Sequence, residues 1–306
     1  MDLRVPKHGN FKHRIKIRNE EQGMRNFLRL IIIAVIAVFV FVACATDEAD
    51  YYAVLPTVAE SSTQPPTQPE TEPPTEPVTE TATEAIPFKH VDIPILMYHT
   101  SSENNPGALA ELYVRPSEFE RQIVWLIENG FTFVTFDDWD YLHTIERPIM
   151  LTFDDGYIEN YTEIFPILQR HNATIVLFLT WNSIVNHGFT EDMIMTMHNS
   201  GLASFESHSM THPNLANISS NTDRLNFELS QSKNNIAELT GRAPIAIAYP
   251  AGGFNDIVKQ HTAEHYRFGL TVIPGIHNTA WDDFEMRRVR INRSTTLDTF
   301  INLVSQ

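Results

Sequence analysis

Between residues 88 and 306 two patterns alternate along the chain. Short runs rich in β-branched and aromatic residues read as strands: IPILMYH (93–99), FTFVTF (131–136), PIMLTF (148–153), ATIVLFL (173–179), LASFE (202–206), IAIAYP (245–250), FGLTVI (268–273) and RRVRI (287–291). Between them lie segments whose apolar residues recur three or four apart, as helices require. In SEFERQIVWLIENG (117–130) Phe119, Ile123, Leu126 and Ile127 share one face, with Ser117 as the expected N-cap and Gly130 as the stop. YTEIFPILQRH, EDMIMTMHNS, the long RLNFELSQSKNNIAELTG closed by Gly241, a segment around 255–266 and TLDTFINLV follow the same rule. Strand and helix alternating at this period imply parallel strands with crossover helices, in a barrel or a doubly wound sheet.

Both architectures collect function at the C-terminal ends of strands, and that rule sorts the polar residues. Asp154 and Asp155 follow PIMLTF, His208 and His212 follow LASFE, and Pro250 to Gly253 follow IAIAY. His261 and His265 have the same four-residue spacing as His208 and His212 but fall inside a helical segment, where a solvated face accounts for them. One carboxylate and two imidazoles suit Zn²⁺ or a similar ion and leave coordination positions open. The same donors make the facial triad of non-haem Fe(II) oxygenases, in which the extra carboxylate has no task. By itself Asp154-Asp155-Gly156 reads equally as a turn. A glycosidase is disfavoured, because its two carboxylates flank a bond rather than occupy adjacent positions.

Residues 1–87 follow a different pattern. LIIIAVIAVFVFVACA (30–45) carries no charge, and the 29 residues before it hold eight Lys/Arg against three acids. That asymmetry predicts a basic cytoplasmic N-terminus (1–29), a transmembrane signal anchor (30–46) and an exported remainder. Cleavage after Ala43-Cys44-Ala45, or a lipid on Cys44, are the alternatives. Residues 47–87 repeat Thr, Pro and Glu and predict a disordered, extended linker. Cys44 is the only cysteine, so residues 88–306 have no disulfide framework and must be held by their core. These residues hold 14 Lys/Arg and 26 Asp/Glu, a net charge of −12. With no basic stripe to neutralise phosphates, nucleic-acid binding is excluded as a partner.

TFDDG (152–156), HSMTH (208–212) and AYPAGG (248–253), in this order behind IPILMYH, resemble the polysaccharide deacetylase (NodB homology) family, the carbohydrate esterases of family four. The similarity covers about residues 92–304 and is strongest to the branch that includes poly-N-acetylglucosamine deacetylases. It implies a distorted (β/α) barrel of about seven strands over the domain at 88–306. It also implies a metal-dependent hydrolase that removes N-acetyl groups from a cell-surface polysaccharide, of the peptidoglycan or poly-N-acetylglucosamine type. An O-acetyl esterase on acetylxylan-like glycans and a silent glycan-binding module are the rival expectations. By the family pattern Asp155, His208 and His212 would hold the ion, Zn²⁺ first and Co²⁺ or Ni²⁺ next. Asp154 would be the base, and the backbone N–H of Ala251 would face the oxyanion.

Two departures from the pattern stand out. Ala248 occupies the place where an arginine often orients the base, and Arg288 in RRVRI is the proposed replacement. No late Leu-x-His motif supplies the general acid, which leaves His277 and His99 as the two candidates.

Overall fold

A computed structural model describes residues 90–305 except 105, 106 and 108. The anchor expected at 30–46 and the linker expected at 47–87 lie outside the described residues. Among the described residues no helix is long and apolar enough to cross a membrane.

Seven parallel strands, numbered here as barrel strands only, close into a ring: β1 (Ile95–Tyr98), β2 (Pro148–Asp155), β3 (Ile175–Leu179), β4 (Ala203–Ser207), β5 (Ala246–Ala248), β6 (Phe268–Pro274) and β7 (Met286–Arg290). Closure runs through β1, whose Ile95 to Tyr98 pair with Met150 to Phe153 on one side while Leu96 and Met97 pair with Val289 and Arg290 on the other. The weakest seam is β4 to β5, where only Ser207 and Ile247 are in register. There the buried Glu206 carboxylate accepts from the N–H groups of Ile245 and Ala246 and from Arg242, so a side chain completes what the backbone ladder leaves open.

Side chains alternate between the barrel interior and its outer face, as a half-turn period demands. Ile95, Met150, Val176, Phe178, Ala246, Ala248, Phe268, Leu270 and Met286 fill the barrel interior. Leu96, Tyr98, Ile149, Leu151, Phe153, Ile175, Leu177 and Val289 point outward, in one cluster with helical Phe119, Ile123, Leu126, Ile236 and Phe300. The interior is packed rather than open, as in barrels of this size.

Local chemistry explains where expectation and structure part. FTFVTF is a strand only at Thr132–Phe133. From Phe136 to Thr144 the chain turns into a 3-10 helix, because the Thr135 side chain accepts from Asp137 N–H and Asp138 accepts from the Thr135 N–H, a reciprocal cap. Phe136, Trp139 and Leu142 from that turn join the interior core. The first long helix, α1 (Pro116–Glu128), is entered through Arg115 and Pro116 rather than through Ser117, whose own N–H is bonded to Glu103. Proline at the first helical position sacrifices no hydrogen bond there.

Candidate active site

Asp154 and Asp155 are the last two residues of β2 rather than the loop beyond it. Parity along this strand sends Met150 inward, so Thr152 and Asp154 face the interior as well. Asp155 has the opposite parity, yet it turns over the rim because its backbone adopts a φ of 76°, followed by Gly156 at 82°. Two neighbouring carboxylates are thereby aimed at one place from different directions.

The HSMTH segment does the corresponding job after β4. His208 has the interior parity, and its Nδ1 donates to the Ala248 carbonyl at 2.7 Å. A carbonyl can only accept, so in the neutral ring the lone pair is on Nε2. Burial pushes the His208 ring towards its neutral form, against the charges of Asp154 and Asp155. Ser209 and His212 then take φ values of 67° and 60°, which fold the loop back so that the second imidazole meets the first. The loop is held from below by Glu228, whose carboxylate accepts from the N–H groups of Met210 and Thr211. Asp155, Ser209, His212 and Ala251 account for four of the six non-glycine residues with positive φ among those described. Strain of this kind persists only where surrounding structure imposes it.

The result is a compact donor set. Asp155 Oδ1 lies 3.5 Å from His208 Nε2 and 3.3 Å from His212 Nε2, and the three ligand atoms all fall within 4.8 Å of one another. Nitrogen and oxygen ligands of tetrahedral Zn²⁺ sit at ~2.0–2.1 Å, which puts neighbouring ligands about 3.4 Å apart. The spacing, the fixed His208 tautomer and the mixed acid and imidazole chemistry therefore fit a divalent cation held by Asp155, His208 and His212. His212 is 38% exposed while His208 is 3% exposed, so the set opens towards solvent on one side.

Beside it Asp154, 2% exposed, receives two hydrogen bonds from the Arg288 guanidinium, Nη1 to Oδ1 at 2.7 Å and Nη2 to Oδ2 at 2.8 Å. Arg288 shares the inward parity of Met286 on β7, so its side chain crosses the barrel, bonding the Thr271 carbonyl and Thr152 on the way. Burial pushes the Asp154 carboxyl up, but the charges of Arg288 and then His208, with the paired hydrogen bonds, hold it well below the usual carboxylate range. The replacement partner expected for Asp154 is thus present in the geometry, and the place left by Ala248 is filled from another strand.

Asp154, Asp155, His208 and His212 share a cavity of about 220 Å³ with Met97, His99, Leu112, Tyr249, Ala251, Val272 and Arg290. Ala251 stands on a tight turn with a φ of 53°, closed by bonds from Gly252 and Gly253 rather than from its own N–H. His99 follows β1 directly and is mostly buried, which pushes its pKa down against the pull of Asp154 and Asp155. His277 is not brought to this site. It pairs with Ile93 before β1 begins and packs between Trp139 and Trp281, whereas His99 stands beyond the other end of β1. His277, one of the two candidates for the acid, is corrected accordingly: its position after IPG did not anticipate that the chain doubles back once β6 has ended. Arg290 is a cavity residue that sequence reading did not single out, although inward parity from Met286 through Arg288 points to it.

Fold and site together define a parallel barrel of hydrolase type, with a candidate metal-ligand set beside a second, ionised carboxylate. Comparison with known proteins agrees. The profile described as polysaccharide deacetylase matches residues 142–269. A crystallised polysaccharide deacetylase from Bacillus cereus is 31% identical, with a TM-score of 0.66 over 70% of this chain and 69% of its own. A Bacillus subtilis (strain 168) protein named YxkH, described as a polysaccharide deacetylase, is 29% identical over 211 residues, 67% of this chain and 73% of its own. A poly-β-1,6-N-acetyl-D-glucosamine N-deacetylase of Staphylococcus aureus (strain N315) is 28% identical over 162 residues, 47% of this chain and 55% of its own. A peptidoglycan-N-acetylmuramic acid deacetylase of B. subtilis is 27% identical over 150 residues, 48% of this chain and 52% of its own. The chain thus spans about half the length of these last two relatives. It belongs to the polysaccharide deacetylase family, enzymes that act on amide C–N bonds.

Proposed function

We propose that this protein removes N-acetyl groups from an N-acetylglucosamine-containing polysaccharide of the cell surface, and that it does so with a divalent cation held by Asp155, His208 and His212. The observation that carries this reading is the convergence of those three donors beside Asp154 in one cavity. A cation bound there supplies an acidified water and polarises a carbonyl oxygen. Asp154 is ionised, and its Arg288 bonds leave further lone pairs on both oxygens, so it can accept a proton from the attacking water. The Ala251 N–H is free of the turn's own bonds and suits the oxygen on which charge develops. His99, the histidine that the cavity retains, is assigned to protonate the leaving amine. Water oxygen bonds to the acetamide carbon, the C–N bond breaks, and acetate and an amine leave.

Amide over ester substrates, and wall polymers over xylan, are favoured by the deacetylases of poly-N-acetylglucosamine and peptidoglycan among its relatives. Export and tethering through residues 30–46 belong to the same proposal, and protease accessibility of the domain on intact cells tests them. The enzymatic test uses the full-length chain stripped of metal and then given Zn²⁺, Co²⁺ or Ni²⁺, with acetate release from N-acetylglucosamine oligomers as the readout. Metal-restored release that Asp154→Asn and His208→Ala both abolish is expected. Release unaffected by chelation, or undiminished in either variant, overturns the assignment.

A further inference from the structure

We propose that a second cavity beside the catalytic one is a polysaccharide subsite that holds sugar units away from the reacting acetamide; this rests on the function proposed above. The cavity measures about 540 Å³, larger than the catalytic one, and is lined by Arg115, Glu118, Arg121, Glu111, Arg293 and Asp298 together with the 294–297 turn.

Two chain segments run directly from the first cavity into the second, and a third is paired to one of them. Leu112 lines the catalytic cavity and Glu111 the other; Arg290 lines the former and residues 293–298 the latter. His99 leads into Thr100–Ser101, which pairs with Tyr113–Val114, and Arg115 follows. The junction is rigid because the Arg293 guanidinium donates to the carbonyls of Ser102, Glu103 and Tyr113, and Glu111 accepts from the N–H and hydroxyl of Ser294. The adjacent residues Glu111 and Leu112 thus line one cavity each, which sets the second cavity next to the Asp155 and His208 site along the chain.

The lining matches a neutral, hydroxyl-rich ligand. Three arginines face three carboxylates, so the cavity offers no net charge to an anion or a cation. Planar guanidinium and carboxylate groups are suited to paired hydrogen bonds with adjacent hydroxyls. Arg121 is engaged with Glu118, and Arg293 and Glu111 build the walls. Among the described residues, no hydrogen bond engages the side chain of Arg115 or Asp298, Arg115 feeling only the charge of Glu103, so both keep their hydrogen-bonding groups for a ligand.

The test compares oligomer lengths, using β-1,4- and β-1,6-linked N-acetylglucosamine dimers and hexamers. Arg115→Ala and Asp298→Ala are each expected to lower kcat/KM on the hexamer by about tenfold, the equivalent of one charge-assisted hydrogen bond, and on the dimer by less than about twofold. Equal losses at both lengths, or none at either, overturn the subsite. If the parent enzyme releases no acetate from any oligomer, the function proposed above falls. The subsite is then judged by titration calorimetry with the hexamer, where affinity that neither substitution weakens overturns it.

Discussion

Replacing Arg288 by Met tests the electrostatic core of the site. The side chain of Arg288 is fully buried and that of Asp154 nearly so, and two hydrogen bonds of 2.7 and 2.8 Å join them. Met retains most of the volume but strands a carboxylate inside the barrel. Removing one partner of a buried pair costs about 3–5 kcal/mol, because the remaining charge keeps its desolvation penalty. For a domain of this size that corresponds to a fall in Tm of roughly 6–20 °C. Asp154 has a folded pKa below its unfolded value, so the pair stabilises at neutral pH and that contribution fades as pH falls through the folded pKa. In Arg288→Met only the charges of His208 and His99 still oppose burial, so the Asp154 pKa rises, and the deficit is full at pH 7.5 and narrows in acid. Urea unfolding of metal-free parent, Arg288→Met, Asp154→Leu and the double variant forms a complete cycle. The double variant should recover a substantial part of the loss. A single-variant loss below about 1 kcal/mol, strict additivity, or a deficit that grows in acid would refute the reasoning.

Four further outcomes are expected. His99→Gln should lower kcat by about 10²-fold or more while His277→Gln leaves it within about twofold, as acetate release will show. The reverse order would return the acid to His277. Gly252→Ala drives a Cβ into a Val272 methyl at a φ of +68°, so turnover should collapse and stability should fall by about 1–3 kcal/mol in chemical denaturation. Glu228→Ala removes the acceptor beneath Met210 and Thr211; zinc affinity, followed by competition with a chromogenic chelator, should weaken by about 10-fold or more. Glu206→Ala should destabilise the protein by about 2–4 kcal/mol, because Arg242 Nη1 and the Ile245 and Ala246 N–H groups lose their acceptor, while Arg242 Nη2 keeps Asp137.

Much of the fold was legible because its cause is local. Seven of the eight runs read as strands form the barrel, since each carries its own β-branched or aromatic period, and Gly241 at a φ of 74° ends its helix as expected. The exception, FTFVTF, turned on a cap between Thr135 and Asp138 that competes with strand extension. Within the site, Asp154, Asp155, His208 and His212 were accessible because strand ends gather at one rim whatever the details of packing.

What the chain could not display was which distant residues meet. Arg288 and Asp154 are separated by 134 positions and pair only because β7 and β2 flank β1 and both turn even-numbered residues inward. His99 and His277 were indistinguishable as side chains; the return of residues 277–278 alongside Asp92–Ile93 removed one and left the other in the cavity. The sequence by itself determined the alternating elements, the order of the motifs and the donor types at the strand ends, because these depend on near neighbours and on side-chain chemistry. Only the tertiary structure decided the partner of the base, the histidine that shares its cavity and the cavity next door, because register, barrel closure and positive-φ turns are set by packing across the whole domain.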